Sequence, residues 1–381
     1  MKINPLQNTG KDYTHFPFCS KKILYTDFDS TYFPFTREDV RPENAPQFSK
    51  MYLPFDEFKK SEKDDFQIMV TTGRSKNDFE HTLSLIKNAG VDFCHPDGLI
   101  TSNGANAFLF IKGKNGTEAA DVTEFEEEPF VDIAQKFIEI TKEQDPDTLI
   151  TEALINGKTE RYGKYSSEYA LDNNPKRKNK HIELARDGKY NIAANFSKEV
   201  NDDAIVAKLR DFIIGNNLPF SIEHYKDSPF DTVTKYTPYG KIHESANVLF
   251  VKYSADGEIP DKFNIVEKKL KEVAESGEGD IVIAAGDSFN DEKMLNPLNY
   301  LEAMGINTED RSEDELLEDK NVIAALQKMP LRVIICGNYG TLDSLRELNK
   351  KLIQKDVHII TEAKDTINDY PKAVKRILEE N

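Results

Sequence analysis

Three apolar runs in this chain each stop abruptly at a polar cluster. Lys22 to Thr26 (KILYT) ends at Asp27-Phe28-Asp29, Phe66 to Val70 (FQIMV) at Thr71-Thr72-Gly73-Arg74, and Ile281 to Ala285 (IVIAA) at Gly286-Asp287. A short, β-prone run with no polar alternation reads as a strand covered on both faces. Each is followed by a polar loop and a helix, and such units predict a parallel sheet with helices on both sides, an α/β fold. Ligands bind outside the carboxyl ends of strands in this architecture. The three polar clusters are therefore expected on one edge of one sheet.

Further runs fit the same sheet: Gly98 to Thr101, Val248 to Val251, Arg332 to Cys336 and Val357 to Ile360. Helical periodicity appears at Phe79 to Lys87, Asn264 to Ala274, Leu342 to Leu352 and Tyr370 to Leu378. The middle of the chain has a different texture. Past Phe108-Leu109-Phe110 and an acidic run from Glu124 to Glu128, helical spacing at Val131 to Thr141 and Ala204 to Ile214 mixes with strand patterns at Tyr190 to Phe196 and Phe220 to Tyr225. This predicts an α+β cap domain over residues 112–245, inserted between core segments 1–111 and 246–381. The basic run Lys176 to Lys180 falls in the insert and reads as a solvated loop. The polar, helix-prone stretch from Glu302 to Lys328 reads as an extra insertion in the second core segment.

At 381 residues the chain exceeds one ordinary hydrophobic core, which agrees with that division. Its net charge of -17 argues against a nucleic-acid backbone as partner. No apolar run has the length of a membrane span, so no membrane partner is expected. Met1 to Lys11 lacks the apolar core of a secretory leader. Cys19, Cys94 and Cys336 show no paired or metal-binding spacing and read as reduced core thiols. The expected location is cytoplasmic.

Asp27 and Asp29, one residue apart after a buried strand, bring two like charges close together. A divalent cation relieves that repulsion, and hard oxygen ligands favour magnesium. One carboxylate can then attack phosphorus while the other moves protons. The pair alone is equally compatible with a turn or a helix cap. Asp287, Asn290 and Asp291 form a second acidic strand end, with Gly286 allowing a tight turn; capping by Asp287 is the plain alternative. Thr72 ends a third strand, where its hydroxyl and nearby N–H groups can hold phosphate oxygens. Lys262 heads the helical run Asn264 to Ala274 and can neutralise charge on a phosphoryl group.

In this order the clusters resemble the haloacid dehalogenase (HAD) superfamily of phosphohydrolases. Asp27-Phe28-Asp29-Ser30-Thr31 is similar to its first motif, DxDx[TV], and Thr72-Gly73-Arg74 to the second. Lys262 fits the third, and Gly286-Asp287-Ser288-Phe289-Asn290-Asp291 the GDSxND form of the fourth. Thr101-Ser102-Asn103-Gly104-Ala105 resembles the TSNGA stretch of the branch with a large α/β cap. That branch includes sucrose-phosphate phosphatases, to which the chain is most similar, Cof-type sugar phosphatases, phosphomannomutases and mannosyl-phosphoglycerate phosphatases. After Leu295 the chain departs from the pattern, although Ala303-Met304-Gly305-Ile306-Asn307 is similar to the family's AMGNA-like turn.

The resemblance implies a Rossmann-like parallel-sheet core and a magnesium-dependent phosphatase acting on a sugar phosphate or similar small phosphometabolite. Asp27 is then the nucleophile and Asp29 the general acid/base. Magnesium falls to Asp27, the Asp29 carbonyl and Asp287, supported by Asn290 or Asp291. Thr72 and Lys262 hold the phosphoryl group, and Asn103, Gly104 and Arg74 lie by the substrate. A phosphomutase shares the aspartyl-phosphate step, and a receiver-like regulatory module shares the acceptor aspartate; Asp29, able to activate water, argues against the latter. Substrate choice is expected from the insert, with Glu152, Arg161, Tyr162, Lys189 and His224 as candidates.

Overall fold

The computed structural model describes residues 22–34, 40–61, 66–74, 76–101, 106–113, 116–121, 127–144, 182–188, 191–237, 240–253, 261–276, 280–337 and 342–380. The first apolar run forms β1 (Lys22–Asp27), followed by α1 (Ala45–Ser61), β2 (Phe66–Thr71), α2 (Lys76–Asn88) and β3 (Gly98–Thr101). A hairpin of β4 (Asn106–Gly113) and β5 (Gly116–Asp121) leads to α3 (Glu127–Gln144). Next come β6 (Ile182–Gly188), β7 (Asn191–Phe196), α4 (Asp202–Gly215), β8 (Phe220–Thr237) and β9 (Gly240–Tyr253). The order continues through α5 (Lys262–Ser276), β10 (Ile281–Gly286), α6 (Glu313–Glu318), α7 (Lys320–Lys328), β11 (Leu331–Cys336), α8 (Asp343–Gln354), β12 (Ile360–Ala363) and α9 (Thr366–Glu380).

Among the described residues the main sheet has 8 strands, in the order β12-β11-β10-β1-β2-β3-β4-β5. Neighbours from β12 to β3 run parallel, and β4 and β5 extend the sheet antiparallel. The fold is thus α/β with a mostly parallel central sheet. Side chains alternate strictly between its faces. Ile23, Tyr25, Val282 and Val333 point toward α5, α6, α7 and α8, whereas Leu24, Ile283 and Ile334 point toward α1, α2 and α9. Burial on both sides explains why these strands read as continuous apolar runs. Each fully buried aliphatic side chain contributes about 1.5–3 kcal/mol. Asp27 stands beside Thr71 at the carboxyl end of β1, between the ends of β2 and β10.

The second sheet is antiparallel, in the order β6-β7-β9-β8. Helices α3 and α4 pack on one face of it, with Phe137, Ile205 and Leu209 against Phe196, Leu249 and Val251. Two segments depart from the expectation. Val248 to Val251, expected in the main sheet, lies within β9 of the second; Gly116–Asp121, expected in the insert, pairs with β4 in the main one. A short apolar run has the same composition in either environment, so only its pairing distinguishes them. The strand expected at Val357 to Ile360 is shifted onward to β12, because Ile359 and the residues before it lead in from α8.

The stretch from Glu302 to Lys328 is no appendage. It belongs to the crossover between parallel strands β10 and β11, and Leu316, Leu317, Val322 and Leu326 enter the core beside β11. Helix α1 had no counterpart in the sequence pattern. Pro46 is tolerated in its first turn, but Pro54 removes a donor from its interior. Burial of Phe48, Met51, Tyr52 and Phe55 outweighs that loss. Among the described residues no helix is long and apolar enough to cross a membrane.

Candidate active site

The loop after β1 is a tight, strained turn. Tyr32 N–H donates to the Asp27 carbonyl at 3.1 Å, Phe33 N–H to the Phe28 carbonyl at 2.6 Å, and Ser30 N–H to the Phe33 carbonyl at 3.0 Å. Ser30 takes φ 58°, a left-handed conformation uncommon outside glycine. Phe28 stacks on Phe33 with ring centroids 5.3 Å apart and meets the edge of Phe79 at 4.8 Å. The Tyr32 hydroxyl donates to the Cys94 carbonyl at 2.7 Å. These contacts fix the backbone that carries Asp27 and Asp29.

The two carboxylates then diverge. Asp27 is buried, and its Oδ1 accepts from Lys262 Nζ at 2.6 Å. Asp29 is half-exposed and forms a two-pronged ion pair with Arg74, whose Nε donates to Oδ2 at 2.7 Å and whose Nη2 donates to Oδ1. The Arg74 guanidinium also lies 5.7 Å over the Phe28 ring. Arg74 is brought into place by Thr72, which is buried at the end of β2 and whose Oγ1 accepts the Arg74 N–H at 3.1 Å.

From β10, Asp287 and Asp291 complete the buried group. Asp287 Oδ1 accepts from the Thr31 hydroxyl at 3.0 Å. Asp291 is fully buried; its Oδ1 accepts from Lys262 Nζ at 2.6 Å, and its Oδ2 from the N–H groups of Asp287 and Ser288, both at 3.2 Å. This folding-back needs glycine at the strand end, since a Cβ on Gly286 would lie 2.6 Å from Asp291 Cγ. Lys262, the first residue of α5, thereby bridges carboxylates from β1 and from the loop after β10.

The charges are unbalanced. Burial pushes the Asp27 carboxyl well above its ordinary range despite the pull of Lys262, and Asp291, Asp287 and Asp29 push it further. Burial and Asp291 push Asp287 up to about 7 against the Thr31 hydroxyl and Lys262. For Lys262, burial favours the neutral amine, but Asp27 and Asp291 outweigh it and hold the ammonium charged. Carboxylate oxygens of Asp27, Asp287 and Asp291 lie within 4.8 Å of one another. Among the described residues, these three carboxylates face the Lys262 ammonium, a donor set that fits an oxygen-seeking divalent cation, which would remove the cost of ionising them together.

Of the residues expected at the site, Asp27, Asp287, Asp291 and Lys262 meet in this group, Thr72 and Arg74 border it, and the Asp29 carboxylate is engaged by Arg74. Asn290 is exposed, one residue from the buried Asp291. Asn103 and Gly104 lie outside the described residues, as do Cys19, the run Lys176 to Lys180, Glu152, Arg161, Tyr162 and Lys189. His224 sits in β8, bonded through Nε2 to Asp202 Oδ2 at 2.7 Å. Sequence reasoning gave no separate role to Thr31, although it stands in the quoted motif; Cys336 is the buried, unpaired core thiol expected, pushed up by burial and further by Asp287, Asp291 and Asp27.

No family model and no curated protein matches this sequence. Among solved structures, the chain is similar to yhjK, a haloacid dehalogenase-like hydrolase protein from Bacillus subtilis, at 14% identity and a TM-score of 0.39, covering 95% of this chain and 92% of that one. A hypothetical protein from Geobacillus kaustophilus HTA426 is 12% identical at a TM-score of 0.37, with 94% of this chain and 98% of that one covered. TM0651 from Thermotoga maritima is 14% identical at a TM-score of 0.35, with 86% and 97% covered. Likeness at this level says nothing of what the chain acts on, and the functional reading rests on its own residues.

Proposed function

We propose that the chain is a magnesium-dependent phosphomonoester hydrolase of the HAD superfamily, acting through an aspartyl-phosphate on Asp27. The observation that carries this is the buried Asp27 carboxylate at a strand end, 2.6 Å from Lys262 Nζ and grouped with Asp287 and Asp291. Asp27, Asp287 and Asp291 would hold magnesium, which supplies positive charge against the carboxylates and the phosphoryl oxygens.

In the first step an Asp27 oxygen bonds to phosphorus while the bond from phosphorus to the leaving oxygen breaks. Asp29 gives that oxygen its proton. In the second, Asp29 takes a proton from water, the resulting oxygen attacks phosphorus, and the bond to Asp27 breaks, releasing inorganic phosphate. Lys262 and Thr72 steady the phosphoryl oxygens. Both Asp29 oxygens are occupied by Arg74, so passing a proton to the leaving oxygen requires Asp29 to part from Arg74. The freed guanidinium is then available to an anionic substrate.

The substrate class we propose is a sugar phosphate or similar small phosphometabolite, in the manner of sucrose-phosphate phosphatases, with Asn103 and Gly104 beside it. Support comes from the Thr101 to Ala105 stretch and from the antiparallel unit between β5 and α5. A cytoplasmic location fits such a substrate.

The test is hydrolysis of an aryl phosphate with magnesium present. Asp27→Asn, folded by circular dichroism, is expected to lose activity at least about a thousand-fold. Near-native turnover by that variant would sink the mechanism.

A further inference from the structure

We infer that Tyr370, on the C-terminal helix α9, is a positioning residue for Asp27 and acts through the Thr26 hydroxyl. The inference rests on the phosphatase reading above. Tyr370 is fully buried, and its hydroxyl donates to Thr26 Oγ1 at 2.9 Å. Thr26 is also fully buried, and its hydroxyl donates to the Asp27 carbonyl at 2.9 Å. Each hydroxyl carries a single proton, so the direction is set. With the Thr26 proton committed to Asp27, the Thr26 oxygen is left to accept, and Tyr370 supplies the donor. The Asp27 carbonyl receives a second donor, the Tyr32 N–H, at 3.1 Å. Two donors on one carbonyl fix the peptide plane from which the Asp27 carboxylate projects.

Three other buried tyrosines show what satisfaction of a core hydroxyl looks like in this molecule. Tyr32, Tyr52 and Tyr300 each donate to a backbone carbonyl, of Cys94, Tyr32 and Met294 respectively. Tyr370 donates to a side chain whose own proton is spent on the nucleophile. Its helix is also tied to the far end of the same strand, where Lys22 Nζ donates to the Leu378 carbonyl at 3.2 Å. Helix α9 is therefore bonded to β1 near both ends of the strand, with Tyr370 at the Asp27 end. Removing the phenol hydroxyl leaves Thr26 without its donor, free to turn away from the Asp27 carbonyl. The carboxylate then samples more orientations, and fewer of them face phosphorus in line.

The experiment measures kcat and KM for an aryl phosphate, with folding followed by the urea midpoint. Tyr370→Phe is expected to lower kcat about ten-fold, the effect of one well-placed hydrogen bond, with KM within about two-fold. Thr26→Val should fall as far, Thr26→Ser should keep wild-type kcat, and the double variant Tyr370→Phe/Thr26→Val should be no slower than Thr26→Val alone. Should Tyr370→Phe fail to fold, Thr26→Val and Thr26→Ser carry the same expectation with the helix intact. Wild-type kcat in folded Tyr370→Phe overturns the inference, as do losses that multiply in the double variant or a Thr26→Ser as slow as Thr26→Val. If the wild type itself does not hydrolyse the substrate, or Asp27→Asn hydrolyses it equally well, the phosphatase reading fails and this inference with it. An active, Asp27-dependent wild type with unaltered Tyr370→Phe sinks the positioning role alone.

Discussion

Among the described residues, two clusters, one of carboxylates alone and one of two carboxylates with a histidine, bring their donor atoms within 4.8 Å of one another and differ in charge balance. Asp27, Asp287 and Asp291 are, among the described residues, buried around one ammonium, that of Lys262. In the second sheet's unit, Asp202 and Asp203 open α4 near His224, but Lys226 Nζ already lies 2.8 Å from Asp202 and 3.0 Å from Asp203. The helix N-terminus adds its own partial positive charge there. Burial pushes the Asp202 carboxyl up, yet hydrogen bonds from Lys226 and His224 outweigh it and leave it below its ordinary value. Asp27 and Asp287 go the other way. Proximity of acidic groups alone does not distinguish a cation site from a closed ion-pair cluster. The balance of charge differs between the two, and it is the reason we propose the cation at the strand ends.

The sharpest break in this comparison is removal of each lysine. Without metal, Lys262→Met leaves Asp27 and Asp291 buried with no cation, and the expected loss of unfolding free energy in urea with chelator is about 3–5 kcal/mol. Lys226 is half-exposed, so solvent screening reduces the cost of Lys226→Met to about 0.5 kcal/mol. Equal losses would mean that the first group is no more short of positive charge than the second. The next effect in size is stabilisation by the ion. Magnesium at a hundred times its dissociation constant should add about 2.7 kcal/mol to the wild type. Asp287→Asn should lose that gain and Asp203→Asn should keep it; the reverse pattern would move the cation to the second group.

The same contrast explains what could be read in the sequence. Asp27, Lys262, Asp287 and Asp291 were legible because each stands where a buried strand ends or a helix begins, and topology alone brings such positions to one edge. The pairing of Asp29 with Arg74 was not: Asp29 was expected to work beside Asp27, and only the turn at Ser30 sends its carboxylate elsewhere. Helix α1 was hidden by Pro54 and by aromatic residues whose burial, not local preference, holds it helical. The sheet to which Val248 to Val251 belongs was hidden because an apolar run carries no record of its partner. Tyr370 reads as one more apolar position of α9, and its hydroxyl acquires meaning only beside Thr26, 344 residues earlier.

Acid provides the finest test, because the two groups respond with opposite sign. The folded Asp287 carboxyl binds its proton near pH 7, against an ordinary value of 3.8. Between those values the folded state holds a proton that the unfolded chain lacks, so metal-free stability must rise as pH falls. From pH 7 to 6 the expected gain from Asp287 is roughly 1 kcal/mol, and Asp287→Asn should reduce the slope by that amount. Asp202, held below its ordinary value, contributes stability that is fully present above that value and is lost as pH falls through its folded pKa. The gap between wild type and Asp202→Asn should therefore close as pH falls below an ordinary aspartate's 3.8. Urea unfolding in chelator across this range reads both slopes. A wild type that weakens between pH 7 and 6 would show that the strand-end carboxylates are not the overcharged group, and a metal would then have no more reason to enter there than between Asp202 and Asp203. An Asp287→Asn that keeps the whole gain would assign the proton to Asp27, which burial also pushes up.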